Sequence, residues 1–150
     1  MTYQVTLEAV DRQIIASARQ RTTFARISRE IGELLNHPWS LIRSTPGLRT
    51  DGDNVAIYWS DSGAGDIEVG VQVTRAFDPT ETVVCSATPT GTVARTAHFG
   101  PYSQLRPAHR AVRDWCKQSN REIALPFWEI YGDWFDDPAK LRTDVLYLLK

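Results

Sequence analysis

The sequence has few cysteines, and their positions give no reason to pair them. Among its 150 residues only Cys85 and Cys116 occur, 31 residues apart in apolar surroundings. Disulfide frameworks and zinc sites use more cysteines at closer, regular spacing. We therefore expect two buried thiols, no metal and no cofactor, and cytoplasm as the compartment in which free thiols persist.

Long hydrophobic runs and an excess of charge of one sign are also missing. No apolar run approaches the roughly 18–20 residues that span a bilayer, and no basic-then-apolar signal opens the chain. Seventeen basic and eighteen acidic residues give a net charge of -1. This balance indicates neither nucleic acid nor an anionic membrane as a direct partner. The chain is most simply one soluble globular domain.

Aromatic residues, by contrast, are plentiful, and one short aromatic stretch contains a carboxylate. Residues 127–131 read Phe-Trp-Glu-Ile-Tyr between turn-forming residues, which predicts a strand. Because side chains alternate along a strand, Phe127, Glu129 and Tyr131 share one face. A charge between two rings on an interior face has no obvious internal partner. An apolar pocket for a cationic ligand would supply that partner.

The hydrophobic pattern predicts the same order of elements twice. We expect strands at 3–10 and 14–20, a helix from Phe24 capped by Thr23, and strands at 55–59 and 67–73; then strands at 82–87 and 92–99, a helix capped by Ser103, and strands at 127–131 and 143–149. Pro38 is expected near the end of the first helix, with Trp39 in the loop that follows. Single helices between runs of strands indicate an α+β fold, an antiparallel sheet with two helices on one face.

The two predicted series also match at the level of residues. Ile57 and Tyr58 occupy the position in the first series that Ile130 and Tyr131 occupy in the second. The repeats are expected at about residues 3–75 and 82–150, within a single domain of residues 1–150. A duplication of this kind predicts a pseudo-two-fold axis with a central ligand cleft. Tyr58 and Tyr131 would face each other across it, one pleat from Glu129.

Several motifs, in the same order, resemble those of GyrI-like effector-binding domains. Residues 93–102, which read VARTAHFGPY, resemble the family's strand that enters a helix through an "hxGpY" motif. Residues 127–131, followed by Asp133, resemble its strand with a glutamate and a tyrosine two residues later. Residues 57–58 and 68–71 resemble the matching parts of its first half. The resemblance covers nearly the whole chain.

This resemblance implies an SHS2-type fold of duplicated β-α-β-β units with a pocket between the halves. It implies that the family's glutamate is Glu129 and that its tyrosine is Tyr131. Many relatives carry the domain behind a DNA-binding region in multidrug-sensing transcription activators. Others stand alone and bind small toxic compounds, or hydrolyse strained cyclopropane-containing drugs. Since this chain begins at the first strand, it resembles the standalone kind.

The candidate ligand-binding residues are those that the strand pattern, the repeat and the exposed rings indicate. They are Glu129, Tyr131, Tyr58, Phe127, Trp39 and Trp59. Trp59 points away from Tyr58 in an ideal strand, so core packing is its alternative role. Trp39 is either a lid over the cleft or a cap on the core. His37, His98 and His109 have no metal-ligand spacing and are expected to be single, satisfied histidines.

Three functions remain open on this evidence. The leading one is binding of a lipophilic, cationic or polarised aromatic compound, for drug sensing or sequestration, with Glu129 as anchor. The second is hydrolysis of a strained alkylating compound, with Glu129 as general base and Tyr131 as proton donor. The third is a protein–protein module that occupies a partner such as DNA gyrase, as the family name suggests. A monomer and a homodimer are both compatible with the pattern.

Overall fold

One antiparallel sheet of eight strands organises the computed structural model, which describes residues 2–150. The strands are β1 (Thr6–Val10), β2 (Ile14–Thr23), β3 (Asn54–Tyr58), β4 (Ala64–Gln72), β5 (Val84–Ala87), β6 (Gly91–Phe99), β7 (Ile123–Tyr131) and β8 (Arg142–Leu149). The helices are α1 (Phe24–Ser44) and α2 (Arg106–Gln118), with short 3-10 turns at Tyr102–Gln104 and Pro138–Lys140. The predicted α+β class is confirmed.

The strand order has the symmetry expected of a duplicated unit. The order across the sheet is β1-β6-β8-β7-β3-β4-β2-β5. When β1, β2, β3 and β4 are exchanged with β5, β6, β7 and β8, respectively, the same order is read in reverse. A two-fold rotation about the junction of β3 and β7 has this effect, and Ala56 pairs with Glu129 there. The repeated units are β2-α1-β3-β4 and β6-α2-β7-β8. Each edge strand, β1 or β5, pairs with the unit of the other half.

The sheet is strongly curved, because short links join strands from its opposite ends. Residues 11–13 alone connect β1 to β2, and residues 88–90 alone connect β5 to β6. The two links bind each other: the Gln13 amide donates to Thr88 Oγ1 at 3.1 Å, and the Thr88 amide to the Gln13 carbonyl at 2.9 Å. The face turned inward by this curvature, here called the inner face, buries a core of Ile15, Val55, Ile57, Val93, Trp128 and Leu146.

Both helices lie on the opposite face of the sheet, here called the helix face. Helix α1 packs over β2 and β4, and α2 packs over β6 and β8. Strands β3 and β7 therefore run between the two helices. Phe127, Glu129 and Tyr131 project from β7 on this face, beside Tyr58 from β3.

Helix α1 is longer than the sequence indicates. Thr23 caps it as predicted, since its Oγ1 accepts from the Arg26 amide at 3.2 Å. The expected end near Pro38 is wrong, because the helix continues to Ser44 and Pro38 is buried inside it. A proline removes one helical hydrogen bond. Leu41, one turn further, still packs against the core around Leu48, which favours continuation of the helix.

The start of α2 and the ends of two strands also differ from the predictions. Ser103 is not the cap of α2, because it lies in the preceding 3-10 turn and Leu105 precedes the helix without a side-chain cap. Strand β7 begins before Pro126, at an interruption of its pairing with β8 where a missing N–H is tolerated. Strand β1 begins only at Thr6, and Leu7 is exposed because β1 is an edge strand.

Candidate functional site

The Glu129 carboxylate is almost closed off from solvent, and both of its oxygens have partners. The residue is 5% exposed. Its Oε1 accepts from the Tyr131 hydroxyl at 2.6 Å and from the Tyr58 hydroxyl at 3.3 Å. Its Oε2 lies 2.7 Å from His109 Nε2. The prediction that this carboxylate lacks an internal partner is therefore wrong.

The register of the two central strands explains why both tyrosines reach one oxygen. Tyr58 pairs with Phe127, and Tyr131 pairs with Asn54, on either side of the central pair that contains Glu129. These are symmetrical positions about the pseudo-two-fold axis. The two tyrosines therefore approach the carboxylate from opposite ends of the junction, as the internal repeat predicted.

His109 is the partner that the sequence did not reveal. It lies on α2, its Nε2 faces Glu129, and its Nδ1 lies 2.7 Å from the hydroxyl of Tyr147 on β8. The one available signal was its position on the apolar side of the helix, in line with Leu105 and Val112. Helical spacing shows that such a side chain points inward, but it does not show which group it meets.

The contacts determine the protonation of the site. Burial by itself raises the pKa of Glu129, but the hydrogen bond and charge of His109, with the tyrosine hydrogen bonds, hold that pKa below its usual range. Burial, and then the negative charge of Glu129, raise the pKa of Tyr131 and of Tyr58. At neutral pH the site is therefore an ionised carboxylate with protonated hydroxyl donors.

Aromatic rings surround this carboxylate. Tyr58, Phe127 and Tyr147 stack in a row, with 4.8 Å between neighbouring ring centroids. Phe24 of α1 meets Tyr58 edge-on at 5.0 Å. The Arg113 guanidinium lies 5.9 Å from the Phe127 centroid and 5.6 Å from that of Tyr147. The rings fill much of the space beside Glu129 in this conformation.

A second series of rings leads from the site to the surface. Tyr102 meets Tyr131 edge-on, with ring centroids 5.5 Å apart. Trp134, which is exposed, lies 6.4 Å from Tyr102. These two residues were not among the sequence candidates, although Tyr102 ends the "hxGpY" segment.

The two tryptophan candidates donate their indole N–H groups to side chains other than Glu129. Trp59 is exposed at the inner face, where its Nε1 donates to Glu68 at 3.1 Å, so the structure does not place it against Glu129. Trp39 is in α1 rather than in a loop, and its Nε1 donates to Asn54 at 2.9 Å. Of the six candidates, the structure brings together Glu129, Tyr131, Tyr58 and Phe127.

Open cavities lie elsewhere in residues 2–150, and two of them are at the ends of the inner face. The larger, about 800 Å³, is lined by Asp53, Phe99, Ile130, Gly132, Asp133, Phe135, Ala139, Lys140, Arg142 and Asp144. The smaller, about 390 Å³, is lined by Arg19, Gln20, Arg21, Trp59, Asp66 and Glu68. Glu129 lines neither of them, so neither is the pocket that the strand pattern predicted.

Both cysteines are free: Cys116 is buried and Cys85 is half-buried. The two thiols are unpaired, and the expectation that both are buried holds for Cys116 but is wrong for Cys85. Across residues 2–150, no three His, Cys, Asp or Glu side chains group as ligands for an ion. Over the same residues, no helix is long and apolar enough to cross a bilayer.

A model of the GyrI-like small molecule binding domain family matches residues 3–150, so the chain belongs to that family. The C-terminal domain of EcmrR superposes with a TM-score of 0.81 at 20% identity, over 100% of this chain and 99% of that one. A search of curated proteins gave no match.

Two further solved structures share the fold. SAV2435 bound to tetraphenylphosphonium matches with a TM-score of 0.66 at 13% identity, over 100% of this chain and 94% of that one. A hydrolase from Listeria innocua matches with a TM-score of 0.61 at 10% identity, over 98% and 92%. Identities this low show the fold alone.

Proposed function

We propose that the Glu129 site binds a lipophilic compound that is cationic or a polarised aromatic, for drug sensing or sequestration. The observation that carries this proposal is a carboxylate, 5% exposed, held among aromatic rings between the two helices. At 4 Å and an effective dielectric constant of 20, a cation gains about 4 kcal/mol before desolvation. An aromatic face adds about 1–2 kcal/mol.

The contacts suggest how a ligand would reach the carboxylate. The hydrogen bond from Tyr58, at 3.3 Å, is the longest of the three that Glu129 accepts, whereas that from Tyr131 is 2.6 Å. Tyr58 and Tyr131 are both half-buried, so the length of the hydrogen bond is what separates them. The Tyr58 ring would therefore move first, freeing one side of Oε1 and one face of Phe127 for a flat or cationic aromatic group.

The test is calorimetric titration of tetraphenylphosphonium, the cation named in the SAV2435 structure, into matched variants. We expect Glu129→Gln to bind about 10- to 100-fold more weakly than wild type, since desolvation offsets part of the Coulomb attraction. Glu33→Gln, the same change at an exposed position of α1, should bind as wild type does. Equal affinities for the wild type and Glu129→Gln would exclude Glu129 as the anchor.

One contact favours a second function, hydrolysis of a strained cyclopropane ring. The Glu129 carboxylate and the Tyr131 hydroxyl lie 2.6 Å apart. Glu129 could take a proton from the attacking water, and Tyr131 could donate a proton to the opening ring. The lowered pKa of Glu129 and the raised pKa of Tyr131 make them a weak base and a weak acid, which is why binding is the leading proposal.

Turnover separates these two functions. Mass spectrometry of a cyclopropane-bearing alkylator should show its hydrated product accumulating beyond one equivalent of protein, and not with Glu129→Gln, if hydrolysis occurs. Compound recovered unchanged, apart from up to one equivalent bound to the protein, would leave binding alone. Occupation of a protein partner such as DNA gyrase, the cytoplasmic location and the oligomeric state remain predictions.

A further inference from the structure

His109 differs in one respect from the other side chains that bind the Glu129 carboxylate. Among residues 2–150, three side chains make that contact, and only His109 can carry a positive charge. Its ring is largely buried, with 12% of the side chain exposed, and Nε2 lies 2.7 Å from Glu129 Oε2. When protonated, His109 is therefore a counter-cation already in contact with the carboxylate that we propose as the anchor.

The same heavy-atom arrangement fits both protonation states of His109. In the neutral state, Nε2–H donates to Glu129 and the Tyr147 hydroxyl donates to Nδ1, at 2.7 Å each. In the charged state, Nδ1–H donates to the Tyr147 oxygen instead, because a hydroxyl can donate or accept. Gaining a proton therefore requires only that one hydroxyl rotate. Histidine ordinarily changes its charge between about pH 5 and 8.

Glu129 is not the only charged group that affects the balance between the neutral and the protonated state of His109. The titratable and charged groups around His109 come from several elements. They are Glu129 and Tyr131 from β7, Tyr58 from β3, Tyr147 from β8, and Arg113 from α2 itself. Asp61, in the β3–β4 loop, acts on Tyr147. Arg113 opposes a second positive charge. Glu129, in direct contact, favours it.

We propose that His109 is a specificity-determining residue, whose Nδ1 proton competes with a cationic ligand for the Glu129 charge. With that proton present the pair is neutral overall, and the site favours a neutral polarised ligand. Without it the carboxylate is available to a cation. This inference rests on the proposed binding role of Glu129. By linkage, cation affinity rises with pH, by up to about tenfold per pH unit when one proton is released.

The binding experiment compares tetraphenylphosphonium with the neutral triphenylphosphine oxide between pH 5.5 and 8. Calorimetry in two buffers of different ionisation enthalpy counts the protons released. We expect wild type to bind the cation more tightly as pH rises, releasing up to one proton, and to show no such rise for the oxide. His109→Gln keeps an N–H donor but has no titrating ring. Its affinity for tetraphenylphosphonium should therefore not change with pH, and at pH 5.5 it should be about tenfold higher than that of wild type.

His37→Gln is the matched control, because His37 is exposed on α1. It should keep the wild-type slope and proton count. A flat cation profile in wild type, or an unchanged slope in His109→Gln, would overturn the inference.

A second measurement does not depend on any ligand. Nitrogen-15 NMR of the imidazole rings, assigned with His109→Gln, reports the fraction of His109 protonated on both nitrogens. At pH 6 we expect that fraction to be smaller in Glu129→Gln than in wild type, while His37 stays unchanged. Equal fractions would refute the coupling. If tetraphenylphosphonium binds to no variant, the cationic-ligand proposal and the competition that rests on it both fail, whereas this measurement still tests the protonation coupling between His109 and Glu129.

Discussion

Glu129 and Glu68 are both nearly buried, at 5% and 1% exposed, on opposite faces of one sheet, yet their partners differ in kind. Glu68 accepts from Arg19 at 2.9 Å, from Trp59 at 3.1 Å and from Ser17 at 2.9 Å. The guanidinium is charged at every accessible pH. Glu129 is instead held by two tyrosine hydroxyls and a histidine. We infer that the first carboxylate is a fixed structural anchor and that the second, in the binding role proposed above, is adjustable.

If Glu129 binds a ligand as proposed, this difference means that burial alone does not identify a binding carboxylate. A buried charge must be paired in either role, because an unpaired one is too costly. What separates a structural carboxylate from a binding one is whether its hydrogen-bond partners can change their orientation or charge. Hydroxyls can rotate and a histidine can lose its proton, whereas an arginine can only be displaced.

The largest loss of stability, and the strongest test of this comparison, is expected from Arg19→Met. Removing one partner of a buried ion pair costs about 3–5 kcal/mol. The Arg19 side chain is 58% exposed, so water offsets part of the loss and we expect about 2–3 kcal/mol. Urea denaturation measures it. The control is Arg21→Met, which removes a pair at 3.8 Å from a side chain that is 82% exposed and should cost under about 0.5 kcal/mol. Equal losses would contradict a fixed anchor at Glu68.

Intermediate losses of stability are expected when the tyrosine hydroxyls that bind Glu129 are removed. Tyr131→Phe removes a 2.6 Å hydrogen bond to a buried carboxylate and should lower the free energy of unfolding by about 2 kcal/mol. Tyr58→Phe removes the 3.3 Å bond and should cost under about 1 kcal/mol. Urea denaturation of both variants gives the order. A larger loss for Tyr58→Phe would argue against Tyr58 as the side chain that moves first.

The smallest effect is a dependence on pH. Because the folded protein holds the pKa of Glu129 below its ordinary 4.5, the ionised carboxylate adds stability above that pH. This stability is lost as the pH falls through the folded value. The free energy of unfolding of wild type should therefore fall relative to that of Glu129→Gln as the pH is lowered from 7 to 3. Urea denaturation across that range checks it, and a relative rise in acid would contradict the lowered pKa.

Much of the fold was predictable because the relevant patterns are local. Alternation placed Phe127, Glu129 and Tyr131 on one face, and the repeat predicted that Tyr58 would join them. Both interpretations hold in the structure. The misplacement of Trp39 has an equally local cause. A proline was interpreted as the end of a helix that in fact continues through it.

The site itself was only partly predictable, because its charge balance depends on contacts between distant elements. His109 lies 20 residues from Glu129 in sequence and 38 from Tyr147, and three different elements carry them. Nothing in the spacing of these residues indicates that they meet. The same holds for Glu68, whose partners Ser17 and Arg19 come from β2.

The sequence by itself determined the order of the elements, the internal repeat and the face on which Glu129 lies. These follow from side-chain periodicity and turn chemistry, which act over a few residues. Only the tertiary structure decided that Glu129 is paired, and with a histidine. That pairing depends on how α2 packs across a curved sheet, where long-range packing rather than local geometry sets which polar groups meet.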